Sequence, residues 1–316
     1  MGENRDTGGR RRFSRKEFLS LGAGAGGLAV LGGCGSAGGA ASGSSANKTL
    51  SLSYITWDED VANSNVIKAL AENDLGYKNV KLTLGDVGPV FQSVAKGDAD
   101  AFLDAWMPGH QEYLNKVGKG AVLLKKPWYE GSTQYGIAVP DYMKNIKTIS
   151  DLNKSGVDAI TGIEPGALLM DRIKNNVIPE YNLKLKLLSS GTAAMLAALE
   201  RAYKRKEPFV FLGWSPHWMN AKYDFHYLKD PKDAMGNIDD PATLHAVVNK
   251  DFKSKDPVGY ALINAMRFTK PQMDELELMI NKKGKNDPMK GAKAWIKENR
   301  SVVEPWIKAA KKAKKA

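Results

Sequence analysis

Seven tryptophans mark the chain. Three of them, Trp57, Trp106 and Trp214, each close an extended apolar run and lead into polar residues, Pro or both. An indole face attracts a cation through its quadrupole and tolerates the loss of surrounding water. A quaternary ammonium has no N–H to satisfy, so a cage of such faces suits it better than a carboxylate alone. Any one of these tryptophans by itself would read as a core or rim aromatic. Three at equivalent places read as walls of a cation site. Trp128, Trp218, Trp295 and Trp306 read as structural, the last two on packing faces of C-terminal helices.

A second chemistry sits at Gly162-Ile163-Glu164-Pro165-Gly166, between a strand and a helix. Backbone N–H groups there, with the positive end of the helix dipole, form a seat for an anion; the same segment also fits an ordinary turn. His110, just after Trp106, is either a donor to that anion or a lone core histidine. Glu59 and Asp60 read as a solvated acidic loop. An enzyme finds little support. Asp58, Glu59 and Asp60 share one loop and cannot flank a glycosidic bond from both faces. No His pair has metal spacing, and there is no nucleophile elbow or phosphate loop. Neither a catalytic residue nor a cofactor is expected, and a lipoprotein that stacks sugar on its tryptophans is the remaining alternative of another class.

The elements that must position these residues alternate between strand and helix. Leu50–Ile55 alternates like a strand, Val61–Asn73 has helical spacing, Val80–Leu84 is a strand, Val90–Lys96 a helix and Ala101–Leu103 a strand. Gly136–Val139 and Asp158–Gly162 are short strands. Leu168–Val177 and Ala193–Lys204 are helical, with Leu183–Leu188 and Pro208–Leu212 as strands beside them. This order predicts an α/β fold with largely parallel sheets. Both halves end a buried strand in Trp-x-Pro with a His close behind, Trp106-Met107-Pro108-Gly109-His110 and Trp214-Ser215-Pro216-His217. Ligands of open α/β sheets bind beyond the carboxyl ends of strands, so two such halves face each other across a cleft. The expected division is 48–136 plus 227–316 for one lobe and 137–226 for the other.

The N-terminus asks for separate treatment. Arg10, Arg11, Arg12, Arg15 and Lys16 precede a Gly/Ala/Leu run from Phe18 to Gly33, too short for a membrane span, so residues 1–33 read as a signal peptide. Ser14-Arg15-Lys16-Glu17-Phe18-Leu19 resembles a twin-arginine signal with Lys for the second Arg, which leaves both the twin-arginine and Sec routes open. Cys34, the single cysteine, follows Leu31-Gly32-Gly33 as in a bacterial lipobox and is expected to be lipidated. With it consumed, no disulfide forms within a mature chain. Residues 34–47, Gly/Ala/Ser-rich, form a flexible tether. Of the formal net charge of +11, residues 1–33 hold six Lys and Arg against three Asp and Glu, so the rest carries 40 against 32, or +8. Much of that is the tail Lys308–Lys315, which on an exported protein reads as a solvated helix end rather than a nucleic-acid contact.

Four motifs, in one consistent spacing, carry a resemblance. Tyr54-Ile55-Thr56-Trp57-Asp58, Asp104-Ala105-Trp106-Met107-Pro108, Gly162-Ile163-Glu164-Pro165-Gly166 and Gly213-Trp214-Ser215-Pro216-His217-Trp218-Met219 are similar to glycine betaine-binding proteins of the OpuA/ProX kind, over nearly all of residues 48–310. The resemblance implies a type II periplasmic-binding-protein fold and a monomer that delivers its ligand to the permease of an ABC importer, for osmoprotection. It implies that Trp57, Trp106 and Trp214 cage the trimethylammonium, while the Gly162 and Ile163 N–H groups with His110 hold the carboxylate. Tyr135 stands where a choline-binding branch uses a fourth aromatic wall, and Glu59 where that branch places an acid. The loop after Trp214 is of the betaine type. Glycine betaine or proline betaine is the expected ligand, with choline as the alternative.

Overall fold

The alternation at the start of the chain becomes strand β1 (Thr49–Tyr54) in a computed structural model that describes residues 48–236, 241–283 and 287–314. The signal peptide, Cys34 and the 34–47 tether lie outside the described residues. After β1 come β2 (Asn79–Leu84), β3 (Ala101–Met107) and β4 (Ala121–Leu123), then β5 (Gln134–Pro140), β6 (Ala159–Thr161), β7 (Lys186–Leu188), β8 (Val210–Ser215) and β9 (Phe225–Tyr227), and last β10 (Thr243–Asn249).

Ten strands form two five-stranded sheets, ordered β2-β1-β3-β10-β4 and β7-β6-β8-β5-β9. The plan repeats. In each sheet three strands run parallel, and the two that complete it pair antiparallel. The expectation of largely parallel sheets is therefore corrected: both sheets are mixed. The strand that breaks the parallel run in each sheet, β10 in one and β5 in the other, comes from the opposite half of the topological plan. It enters after the chain has crossed between sheets, once between β4 and β5 and once between β9 and β10.

The central strands explain why the Trp residues stand where they do. Every residue of β3 and of β8 is buried, as expected of strands with helices on both faces. Trp106 and Trp214 are near their carboxyl ends, where the strands emerge from the helical layers. The helix Asp58–Asp74 begins directly after Trp57, three residues earlier than its apolar spacing suggests, because Asp58, Glu59 and Asp60 form its first turn. Val87–Lys96 ends at Gly97 in the left-handed region (φ 82°), whose N–H closes onto the Ser93 and Val94 carbonyls. The helical run from Leu168 is regular only to Arg172 and continues as a π-helical turn, Ile173–Val177. No helix among the described residues is long and apolar enough to cross a membrane.

Candidate functional site

Where the carboxyl ends of the two sheets meet, a cavity of about 70 Å³ is lined by Trp57, Trp106, His110, Tyr135, Ile163 and Trp214, together with Glu59 and small or aliphatic residues of both halves. A single water needs about 10–15 Å³ on this measure, so a small organic ion fits and an oligosaccharide does not. Trp57 and Trp106 stand edge to face, 6.4 Å between centroids and 87° between planes. Tyr135 meets Trp106 in the same way at 6.0 Å and 88°. Tyr135 and Trp214 are paired residues of the adjacent strands β5 and β8, so their side chains leave the same face of one sheet. These four rings are the walls.

Each Trp wall is held by a carboxylate behind it. Trp57 Nε1 donates to Glu164 Oε2 (3.2 Å), Trp106 Nε1 to Asp104 Oδ2 (3.2 Å) and Trp214 Nε1 to Glu59 Oε2 (3.0 Å). The indole N–H groups are thus satisfied and the rings are fixed in orientation. The other four tryptophans are buried and none of them lines the cavity. Trp218 donates to Asp58 Oδ1 at 2.7 Å, and Trp295 to Glu275 Oε2 at 3.0 Å.

The acidic loop expected to be solvated is not. Glu59 and Asp60 are fully buried. Asp60 Oδ2 accepts the Ile55 N–H at 2.8 Å, tying the helix to the end of β1, and Glu59 reaches the cavity. For Glu59 the reason is the opposing sheet: Trp214 and Trp218 bond the first helical turn, and Glu59, which would face water, meets an indole instead. Burial, then neighbouring carboxyls, push Glu59 well above the usual carboxylate range; burial does the same to Asp60.

His110 is buried at the cavity wall and tilted against Trp57, 6.0 Å between ring centroids. Its Nδ1 accepts the Trp106 N–H at 3.1 Å, so the neutral ring carries its proton on Nε2 and offers a donor. Burial pushes its pKa down to about 3, so the ring is neutral at physiological pH.

Ile163 lines the cavity, and Gly162 does not. The Gly162 N–H donates to the Leu188 carbonyl at 2.8 Å, so the amide expected to face an anion is used inside the sheet. Gly162 has a steric task instead. A Cβ there would lie 2.3 Å from Met170 Sδ and 2.8 Å from the Leu188 carbonyl oxygen, so only glycine allows strand and helix this close.

Glu164, two residues on, was legible only as part of a turn. Its Oε1 accepts from Thr56 Oγ1 (2.7 Å) and the Thr192 N–H (2.7 Å), and its Oε2 from Trp57 Nε1 and Thr192 Oγ1 (2.8 Å). Burial alone would raise its pKa, but these hydrogen bonds outweigh it and hold the carboxyl below its ordinary value. Glu164 therefore clasps the end of β1 to the other sheet. Asp58 makes a second clasp, accepting from Trp218 and pairing with His217 Nε2 at 3.0 Å, and Tyr113 Oη donates to the Gly166 carbonyl at 3.1 Å as a third. Among the described residues no cluster of His, Cys, Asp and Glu is placed to hold a metal.

Comparison with known proteins agrees with this geometry. Residues 48–298 match the OpuAC family, described as the substrate binding domain of ABC-type glycine betaine transport systems. The glycine betaine/carnitine transport binding protein GbuC of Listeria monocytogenes is 37% identical over 165 residues, 51% of this chain and only 53% of that relative. Among solved structures, lactococcal OpuAC in its closed, glycine betaine-liganded conformation superposes with a TM-score of 0.73 and 37% identity, covering 83% of this chain and all of that one. An ABC-transporter choline binding protein complexed with choline gives 0.72 and 27%, covering 84% and 97%. The two mixed sheets with flanking helices are the type II periplasmic-binding-protein architecture.

Proposed function

Because the chain belongs to the family of substrate-binding domains of ABC-type glycine betaine transport systems, we propose that its cavity captures glycine betaine or proline betaine for delivery to an ABC permease. The observation that carries this reading is the box of Trp57, Trp106, Trp214 and Tyr135 around the cavity, with each indole N–H bound to a carboxylate. The trimethylammonium sits among these faces. The carboxylate is taken by His110 Nε2–H and the Ile163 N–H, with Gly162 supporting the turn. Desolvated cation–π contacts contribute roughly 2 kcal/mol each, and hydrogen bonds to a charged group about 1.5–3 kcal/mol. After the cost of association, a dissociation constant near micromolar, about −8 kcal/mol, follows.

Choline is the second reading. Tyr135 as a fourth wall and the Glu59 carboxyl in the cavity both favour a ligand of net positive charge. Calorimetry with glycine betaine, proline betaine, choline, carnitine and maltose decides among them. Binding of either betaine at least tenfold tighter than choline is expected; binding of maltose alone would overturn the whole assignment.

The two sheets act as lobes that close over the ligand, moving about the two chain crossings between them and meeting through the Glu164 and Asp58 clasps. The protein works outside the cytoplasmic membrane as a monomer, held by lipid on Cys34. Cys34→Ser is expected to release a soluble, ligand-competent protein when expressed in a Gram-positive or Gram-negative host. A variant that stays with membranes after a salt wash would remove the anchor from this account.

A further inference from the structure

Behind the cage, Glu59 on the first turn of helix Asp58–Asp74 and Asp104 on β3 are both fully buried. Each uses one oxygen on a wall, Glu59 on Trp214 and Asp104 on Trp106. Their other oxygens, Glu59 Oε1 and Asp104 Oδ1, are buried and receive no N–H or O–H donor among the described residues. The two carboxyls lie within hydrogen-bonding reach of each other. Among the described residues, the hydrogen-bond donors to these two carboxyls are the Trp214 and Trp106 indoles.

Two carboxylates are acceptors only, so they can join through a hydrogen bond only when one carries a proton. Further carboxyls crowd the pair. Asp58 and Asp60 flank Glu59 on its own helix, and Glu277, buried with both oxygens lacking a donor, approaches with Asp274 from helix Lys270–Lys283. Tyr135 and His110, the latter neutral, line the same cavity, and the buried Tyr129 ring lies within electrostatic reach of Glu59. Burial first, then the Asp104 charge, raises Glu59; burial first, then the Asp60 charge, raises Asp104, while the Trp106 and Glu59 hydrogen bonds lower it.

We propose that Asp104 is a positioning residue that sets ligand charge preference through Glu59: the pair holds one shared proton in the empty site, and a cation entering the cage releases that proton to solvent. The exchange balances, one positive charge in and one H⁺ out. Choline, with net charge +1, displaces the proton fully. Glycine betaine brings its own carboxylate and displaces it little. Choline affinity therefore rises with pH, up to about tenfold per unit when one proton is released, while betaine affinity is nearly flat. This inference rests on the cavity's being a quaternary-ammonium site.

Calorimetry of the full chain with choline and with glycine betaine, in phosphate and in Tris at one pH, counts the protons released. Roughly half to one proton is expected per choline, and close to none per betaine. Asp104→Asn keeps an acceptor for the Trp106 indole and offers Glu59 a donor in place of the proton, so it should abolish the release and flatten the choline pH profile. Choline binding with no buffer dependence, or an unchanged proton count in Asp104→Asn, overturns the proposal. The empty protein provides a separate reading should neither ligand bind. An infrared carbonyl band of un-ionised carboxyl, present at neutral pH and weakened in Asp104→Asn, supports the shared proton even if the cage reading fails; a band unchanged in Asp104→Asn refutes the sharing.

Discussion

Trp106→Ala and Trp214→Ala should each weaken glycine betaine binding by roughly thirtyfold or more, since a desolvated cation–π wall is worth about 2 kcal/mol and each 1.4 kcal/mol is tenfold. Phe at either position restores a face but not the N–H that Asp104 or Glu59 accepts, so its loss should be intermediate. Trp57→Ala carries a second cost, because it also removes a donor from the Glu164 clasp between the sheets. Trp295 supplies the control. It is fully buried, packs on Phe268 at 5.6 Å and bonds Glu275, all away from the cavity. Trp295→Leu should lower the melting temperature and leave the affinity of the folded protein unchanged. Titration by tryptophan fluorescence or calorimetry, with melting curves beside it, separates the two effects. Equal losses of affinity at Trp295 and Trp214 would dissolve the distinction between wall and core.

That distinction was visible in the sequence because it depends on local order. A buried run ending in Trp-x-Pro places the indole at a strand's carboxyl end, and Trp106 and Trp214 do this in both halves. Strand β10 was not anticipated. Thr243–Asn249 is a single short apolar run whose partners, β3 and β4, lie more than a hundred residues earlier, and nothing local announces an antiparallel return. The burial of Glu59 and Asp60 was illegible for a related reason. Three acids at a helix start look solvated, and only the second sheet, arriving with Trp214 and Trp218, removes the water. At Gly162 the spacing suggests an amide turned to a ligand, and the Leu188 carbonyl on the neighbouring strand accepts that amide. What local spacing encodes is which residues reach the rim; which donors remain unspent there depends on pairing across the sheet.

His110 offers a side-chain donor at the cavity wall, and its removal should divide betaine from choline. Nδ1 is occupied by the Trp106 N–H, which fixes the neutral tautomer with hydrogen on Nε2. Burial holds the pKa at about 3, so this donor does not titrate between pH 5 and 8, and a change in betaine affinity across that range cannot come from it. A hydrogen bond to a carboxylate contributes about 1.5–3 kcal/mol, so His110→Ala should weaken glycine betaine by roughly ten- to a hundredfold. Choline ends in a hydroxyl and gains far less from the same donor. Its affinity should change by no more than about threefold, which narrows the preference for betaine without reversing the order of the cage variants. Choline is also the internal control, because His110 packs against Trp57 and supports the Trp106 backbone. If His110→Ala lowers both ligands alike, the ring only props the cage and the carboxylate seat lies elsewhere. If it lowers choline alone, the polar end of the ligand is oriented the other way round. A selective loss of betaine, with the melting temperature of the empty protein little changed, identifies His110 as the residue that reads the anion.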